Sequence, residues 1–158
     1  MRAAVIRTED ITERQWELLY GQLSEARRQK ADRIHLLAHR RESIAAGALL
    51  EWLLRQQGEE PPFFYCASAN GKPFLIGRDG ERKTGVYFSI THTKGLAGAV
   101  VGEVPVGLDA ERIRPYPAKV AARYFSPAEQ KLLEEGNTAA FYRIWTKKEA
   151  LAKLLDLP

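Results

Sequence analysis

A single cysteine, Cys66, stands in 158 residues, so no disulfide can close within the chain. That scarcity suits a reducing compartment and predicts Cys66 as a small apolar residue of the core. Long hydrophobic runs are missing too: nothing approaches the roughly 20 apolar residues that a membrane helix needs. The opening run MRAAVIRTED meets charge again at Arg7 and lacks the apolar stretch of a signal peptide. These absences predict a soluble, cytoplasmic protein, and neither a repeat nor a low-complexity segment interrupts it. The length suits one domain with a real core. The net charge of +4 favours an anionic partner, leaving nucleic acid, an acidic protein and a phosphorylated small molecule open.

The pattern along the chain predicts helix, then strands, then helix, an α+β order. Arg2 to Arg7 reads as a strand. Asp10 and Glu13 read as a capping box ahead of Trp16, Leu19, Tyr20 and Leu23. Helical spacing persists from Ser24 to Gln57, with Ile34, Leu37, Ala38, Ala45, Ala48, Leu49, Trp52 and Leu53 near one stripe and a break expected near His39 or Gly47. Gly58 is the stop signal. FFYCA and FLI read as strands around the turn NGKP. GVYFSITHT, GLAGAVVG and VPVGLDAE read as three consecutive strands of an antiparallel sheet. Ser126, Pro127 and Glu129 give a strong helix start, Gly136 a stop, and Thr138 the start of a last helix.

Chemistry-bearing residues fall into four short blocks. In VGLDAE, Asp109 and Glu111 are two residues apart, so on a strand they share a face with Gly107. Two ionised carboxylates this close repel, and either a divalent cation or Arg112 and Arg114 would relieve them. Oxygen donors alone favour Mg²⁺ over zinc. In WTKKEALAK, Trp145, Glu149 and Lys153 line one helix face at four-residue spacing. Glu149 and Lys153 form there either an ordinary helix pair or a metal ligand beside a phosphate contact. His92 ends an apolar strand in FSITHT, and Lys72 sits on the NGKP turn. The basic run Arg27, Arg28, Lys30, Arg33, Arg40 and Arg41 is either a solvated face or an anion-binding one.

Taken in order, NGKP, FSITHT, VGLDAE and WTKKEALAK resemble the signature blocks of the Sfp-type 4′-phosphopantetheinyl transferases. RRESIAAGALL and RYFSPAEQKLL resemble the connecting segments, so the likeness runs from about Ser24 to Lys153. The resemblance implies transfer of the 4′-phosphopantetheine arm of coenzyme A onto a serine of an acyl or peptidyl carrier protein, converting apo to holo form and releasing 3′,5′-ADP. It implies Asp109, Glu111 and Glu149 as ligands of Mg²⁺, with Glu149 also drawing the proton from the serine. Lys153 would meet charge on the leaving group. Lys72, Thr91, His92, Lys148 and Lys153 would bind coenzyme A, joined from the basic helix by Arg27, Lys30 and Arg41. A coenzyme A-binding homologue without catalysis is the alternative, and a nucleic-acid-binding domain a further one, although no nucleic-acid motif is present.

The resemblance also implies two pseudo-symmetric α+β halves, each a small antiparallel sheet with a long helix. Residues 1–103 would form the N-terminal half, with basic helices and strands. Residues 104–158 would begin the C-terminal half, with the metal-site strand and the WTKKEALAK helix. The family's second half continues past that helix, whereas this chain stops at Pro158, so the expected second half is truncated. A compact variant, a truncated product and completion by a second copy are the three explanations. Ile144, Leu151 and Leu155 would lie bare, which makes a homodimer an expectation to test.

Overall fold

The computed structural model describes residues 1–133 and 137–157. Its elements run β1 (Arg2–Arg7), α1 (Glu13–Gln22), α2 (Glu25–Asp32), α3 (Leu37–Gln56), β2 (Phe64–Ala67), β3 (Pro73–Ile76), β4 (Tyr87–Thr93), β5 (Leu96–Gly102), α4 (Ala118–Tyr124), α5 (Pro127–Lys131) and α6 (Thr138–Leu155). This is an α+β arrangement with a three-stranded antiparallel sheet, order β1-β5-β4, and a two-stranded one, β2-β3.

The β4–β5 hairpin forms as the sequence predicts, around Lys94 and Gly95, whose φ of 86° is the left-handed conformation that glycine adopts without strain. The third partner differs from the expectation. β1 fills the other edge of β5, with Arg2 opposite Val101 and Arg7 opposite Leu96. VPVGLDAE is no strand: residues 105–117 run across the sheet as a strap without ladder pairing. The reason is where its polar backbone goes. The Leu108 and Ala110 amides donate to the Ser89 and Thr91 hydroxyls, at 3.0 and 3.1 Å, instead of to a neighbouring main chain.

Register explains how the sheet is covered. Ala97, Ala99 and Val101 of β5 alternate with Gly98, Val100 and Gly102, so the two sets occupy opposite faces. The first set packs with Phe88 against α3, burying Leu50, Leu53 and Leu54, while Trp16, Leu23, Ile44 and Ala45 extend the core towards α1. The second faces the strap. A Cβ built on Gly98 would touch Leu108 Cδ2 at 3.4 Å, and one on Gly102 would touch Val106 Cγ1 at 3.2 Å. Small residues therefore let a helix and a strap approach the same strand from both sides.

Several local expectations shift. The first helix is capped by Thr12, whose hydroxyl accepts from the Gln15 amide in a capping box; Asp10 ends a preceding 3₁₀ turn. The long helix breaks at residues 33–36, and Gly47 stays inside α3, where a Cβ would press on Leu23 Cδ2 at 3.2 Å. Glycine there serves close packing of α3 on the segment before it. The buried stripe includes Ala45 and Leu53 but not Leu37 or Trp52, which remain 59% and 51% exposed. Cys66 is exposed as well, because β2 belongs to the outer two-stranded sheet and turns it away from the core.

The last third matches closely. Ser126 and Glu129 form the expected reciprocal cap around Pro127, although α5 ends at Lys131; the proposed stop at Gly136 lies outside the described residues. Asn137 caps α6 through the Ala140 amide. Ala121, Phe125, Phe141 and Tyr142 make a separate aromatic core under α6, with Tyr116 stacked on Phe141 at 4.2 Å. Among the described residues 104–157 there is no strand. Leu151 and Leu155 of α6 are exposed, as the sequence predicts, whereas Ile144 is partly buried against the aromatic core.

Candidate functional site

The strap and α6 bring the acidic and basic blocks together. Gly107 permits this: a Cβ there would overlap the Ala150 carbonyl and lie 2.8 Å from the Leu154 amide nitrogen. Two residues on, Asp109 Oδ1 receives the Lys153 ammonium at 2.6 Å, and Lys153 Nζ also donates to the Leu108 carbonyl at 3.1 Å. Thr91 adds a hydroxyl contact to the same carboxylate oxygen at 3.4 Å. The Asp109 side chain is 8% exposed, and its second oxygen, Oδ2, is buried with no hydrogen-bond partner. A buried, unpartnered carboxylate oxygen is costly, and a cation is the group that would satisfy it.

Glu111 and Glu149 stand in the same field. Burial raises the Glu111 carboxyl above the usual carboxylate range; Asp109 and, more weakly, Glu149 push it further, while Arg114 and Lys153 oppose. Asp109 and Glu149 thus both repel Glu111, while Arg114 and Lys153 bring positive charge to it. Among the described residues, no three His, Cys, Asp or Glu side chains already converge in metal-holding geometry. The donor set, oxygen only with one orphaned atom, is nonetheless the kind that suits Mg²⁺.

His92 lies on the other face of β4. Register places it opposite Ala97, towards α3, whereas Thr91 is opposite Gly98, towards the strap. The two residues therefore do different work. Thr91, 4% exposed, ties down the strap through Asp109 and the Ala110 amide. His92 stands 3.6 Å from Glu42 Oε2, near Lys30, His39 and Lys153. Burial, more than any neighbour, holds its imidazole below the ordinary histidine value, and Glu42 opposes that shift. The Lys30 ammonium is likewise lowered, first by desolvation and then by Arg27.

Four expected coenzyme A contacts are placed otherwise. The Lys72 ammonium donates to the Leu154 carbonyl at 3.1 Å and to the Val106 carbonyl at 3.4 Å, joining the NGKP turn to α6 and the strap. Burial also lowers its pKa. Ser68 and Asn70 hold Asp156 beside it, at 2.8 and 2.5 Å. Lys148 is paired with Glu129 of α5 at 2.9 Å. Arg41 pairs with Glu13 and lies over the Trp16 ring. Arg27 is 5% exposed, with its guanidinium 4.6 Å from the centre of the Tyr65 ring and its Nε and Nη2 buried without a hydrogen-bond partner. A lone arginine in a basic run gives no sign of which turn faces inward.

Sequence reasoning passed over Ser89 and Glu42. Ser89 was legible in principle, since Ser89 and Thr91 alternate on one strand face. Glu42 was not: nothing in RRESIAAGALL marks the glutamate as the buried one.

The strap and α6 coincide with the segment that the family comparison matches. Residues 105–157 match the 4′-phosphopantetheinyl transferase superfamily. Psf-1, a 4′-phosphopantetheinyl transferase of Bacillus pumilus, is 29% identical over 147 residues, covering 89% of this chain and 61% of its own length. HetI, a 4′-phosphopantetheinyl transferase of Nostoc sp., is 34% identical over 155 residues, covering 91% and 64%. Over residues 105–157 the chain is similar to the 4′-phosphopantetheinyl transferase superfamily, and both relatives bear that name. It spans about three fifths of the length of these curated relatives. Among solved structures, a holo-(acyl-carrier-protein) synthase from Bacillus anthracis in complex with CoA is a partial likeness, with a TM-score of 0.46 and 23% identity over 64% of this chain and 92% of that one. The superfamily's matched segment holds Asp109, Glu111, Glu149 and Lys153, while Lys72, His92 and Lys30 come from the preceding elements. No helix of the described residues is long and apolar enough to cross a membrane.

Proposed function

We propose that this chain carries the transfer site of an Sfp-type 4′-phosphopantetheinyl transferase, moving the phosphopantetheine arm of coenzyme A to a serine of an acyl or peptidyl carrier protein in the cytoplasm. The observation that carries this reading is the buried Asp109 carboxylate, held by Lys153 through one oxygen and left unpartnered at the other. Relatives named as 4′-phosphopantetheinyl transferases along nearly the whole chain support it.

Asp109, Glu111 and Glu149 would hold Mg²⁺, which when bound neutralises the pyrophosphate of coenzyme A. The chain's own groups do the rest. Lys153, already at Asp109, is in reach of negative charge growing on the departing phosphate. Lys30 and His92 face the same anion from the other side of β4. Glu149 takes the proton of the serine hydroxyl as its oxygen bonds to phosphorus. The phosphorus–oxygen bond to the nucleotide breaks, and 3′,5′-ADP leaves with the electron pair. Thr91, Ser89, Lys72 and Gly107 fix the strap so that these groups keep their places.

We also propose the division of the chain at residues 103 and 104, supported by the separate core under α6, and a homodimer, supported by exposed Leu151 and Leu155. Sedimentation tests the second: a dimer that Leu151→Glu dissociates is expected, and a monomer at all concentrations overturns it. The function is tested by mass spectrometry of apo carrier proteins incubated with coenzyme A and Mg²⁺. A gain of the phosphopantetheine mass is expected. Tight coenzyme A binding by calorimetry with no gain on any carrier would instead favour a binding homologue.

A further inference from the structure

One buried carboxylate has no part in the strap or the acidic cluster. Glu42, on α3, is 4% exposed, and its Oε2 lies 3.1 Å from His39 Nδ1 and 3.6 Å from His92 Nδ1. A single oxygen therefore faces two imidazoles, one at hydrogen-bond distance and one at ion-pair distance. His39 belongs to α3 itself, three residues before Glu42; His92 comes from β4. The charged groups around His92 are Glu42 and His39 from α3, Lys30 from α2 and Lys153 from α6. Glu42 is thus the one acid among groups that are basic or can become so.

We propose that Glu42 is a positioning residue of the phosphate site: its Oε2 faces the Nδ1 edge of His92, leaves Nε2 on the opposite edge for a phosphate oxygen, and balances the imidazolium that the phosphate requires. This deepens the reading of His92 as a phosphate contact and rests on it. A neutral ring with its proton on Nδ1, directed to Glu42, carries a bare lone pair on Nε2, which repels a phosphate oxygen. Binding then needs one proton from solvent on Nε2. The ring becomes a donor at both nitrogens, towards Glu42 and towards the anion. Burial, Lys30, His39 and Lys153 oppose the added charge, and Glu42 alone of these neighbours favours it. His39 competes for the same oxygen and restrains the change.

The test uses the full chain with ¹⁵N-labelled histidine, and inorganic pyrophosphate as the probe. Expected for the native chain is a His92 signal of the Nδ1–H form that pyrophosphate converts to imidazolium, with proton uptake seen as buffer-dependent heat. In Glu42→Gln the His92 midpoint falls, and pyrophosphate affinity drops on the order of tenfold. His39→Gln, at an exposed ring, moves the midpoint upward with urea stability unchanged, a control that separates it from loosening, which also raises the midpoint by relieving burial; this decides the matter even if Glu42→Gln fails to fold. A His92 midpoint unchanged in the variants overturns the proposal. Equal pyrophosphate affinity in native chain and Glu42→Gln overturns the positioning role while leaving His92 as a phosphate contact. Pyrophosphate that leaves the native His92 signal unmoved overturns that contact and the proposal with it.

Discussion

Lys153 Nζ and Asp109 Oδ1 lie 2.6 Å apart, joining the last turns of α6 to a strap that shares no ladder with the sheet beneath it. The pair is largely shielded on the Asp109 side, at 8% exposure, and more open on the lysine side. Removing the lysine leaves a buried carboxylate with only the long Thr91 contact. Lys153→Met is expected to destabilise the chain by about 1–3 kcal/mol, as an unsatisfied buried acceptor does. Urea unfolding measures it, and the double variant with Asp109→Asn should recover part of the loss.

Gly107→Ala tests the approach of strap to helix. A Cβ there meets the Ala150 carbonyl, and overpacking of this kind costs about 1–3 kcal/mol. The expected result is a lower urea midpoint together with a weaker hold of Lys153 on Asp109, visible as a shifted Lys153 ammonium resonance. Gly21→Ala, where a Cβ meets nothing within 4 Å, should lack both effects.

His92 gives a pH dependence of defined sign. Its folded-state value is lowered from 6.5, so between that value and 6.5 the unfolded chain binds more protons. Stability therefore rises as pH climbs through this window and is fully present above it. Urea unfolding across the window should show this slope in the native chain and lose it in His92→Gln.

Arg27 and Lys30, three residues apart, should separate cleanly. Arg27 is packed over Tyr65, so Arg27→Ala is expected to cost about 2 kcal/mol of stability while leaving pyrophosphate affinity at native values once folded. Lys30→Ala should weaken pyrophosphate binding with little effect on unfolding. Calorimetry and urea titration on both variants check the contrast.

Legibility in the sequence followed the range of the interactions. The Ser126 cap, the hairpin at Gly95 and the start of α6 are local, set by a few adjacent residues, and the residue pattern announces them. The strap misled because VPVGLDAE has the composition of a strand, yet its amides are met by hydroxyls of Ser89 and Thr91 about twenty residues away. Arg27 and Glu42 are buried charges whose partners, Tyr65 and His92, are farther away still in sequence. The four motif blocks identified the family from residue types alone. Which side of β4 each residue faces required the register.

The proposed phosphopantetheine transfer rests on the acids gathered at the strap and α6. Intact-mass measurement of an apo carrier protein, incubated with this chain, coenzyme A and Mg²⁺, tests it most directly. The expected result is a gain of one phosphopantetheine per carrier, abolished by metal chelation and by Glu149→Gln. A gain that survives Glu149→Gln or chelation would contradict it, as would no gain across a panel of carriers from fatty-acid, polyketide and peptide synthesis.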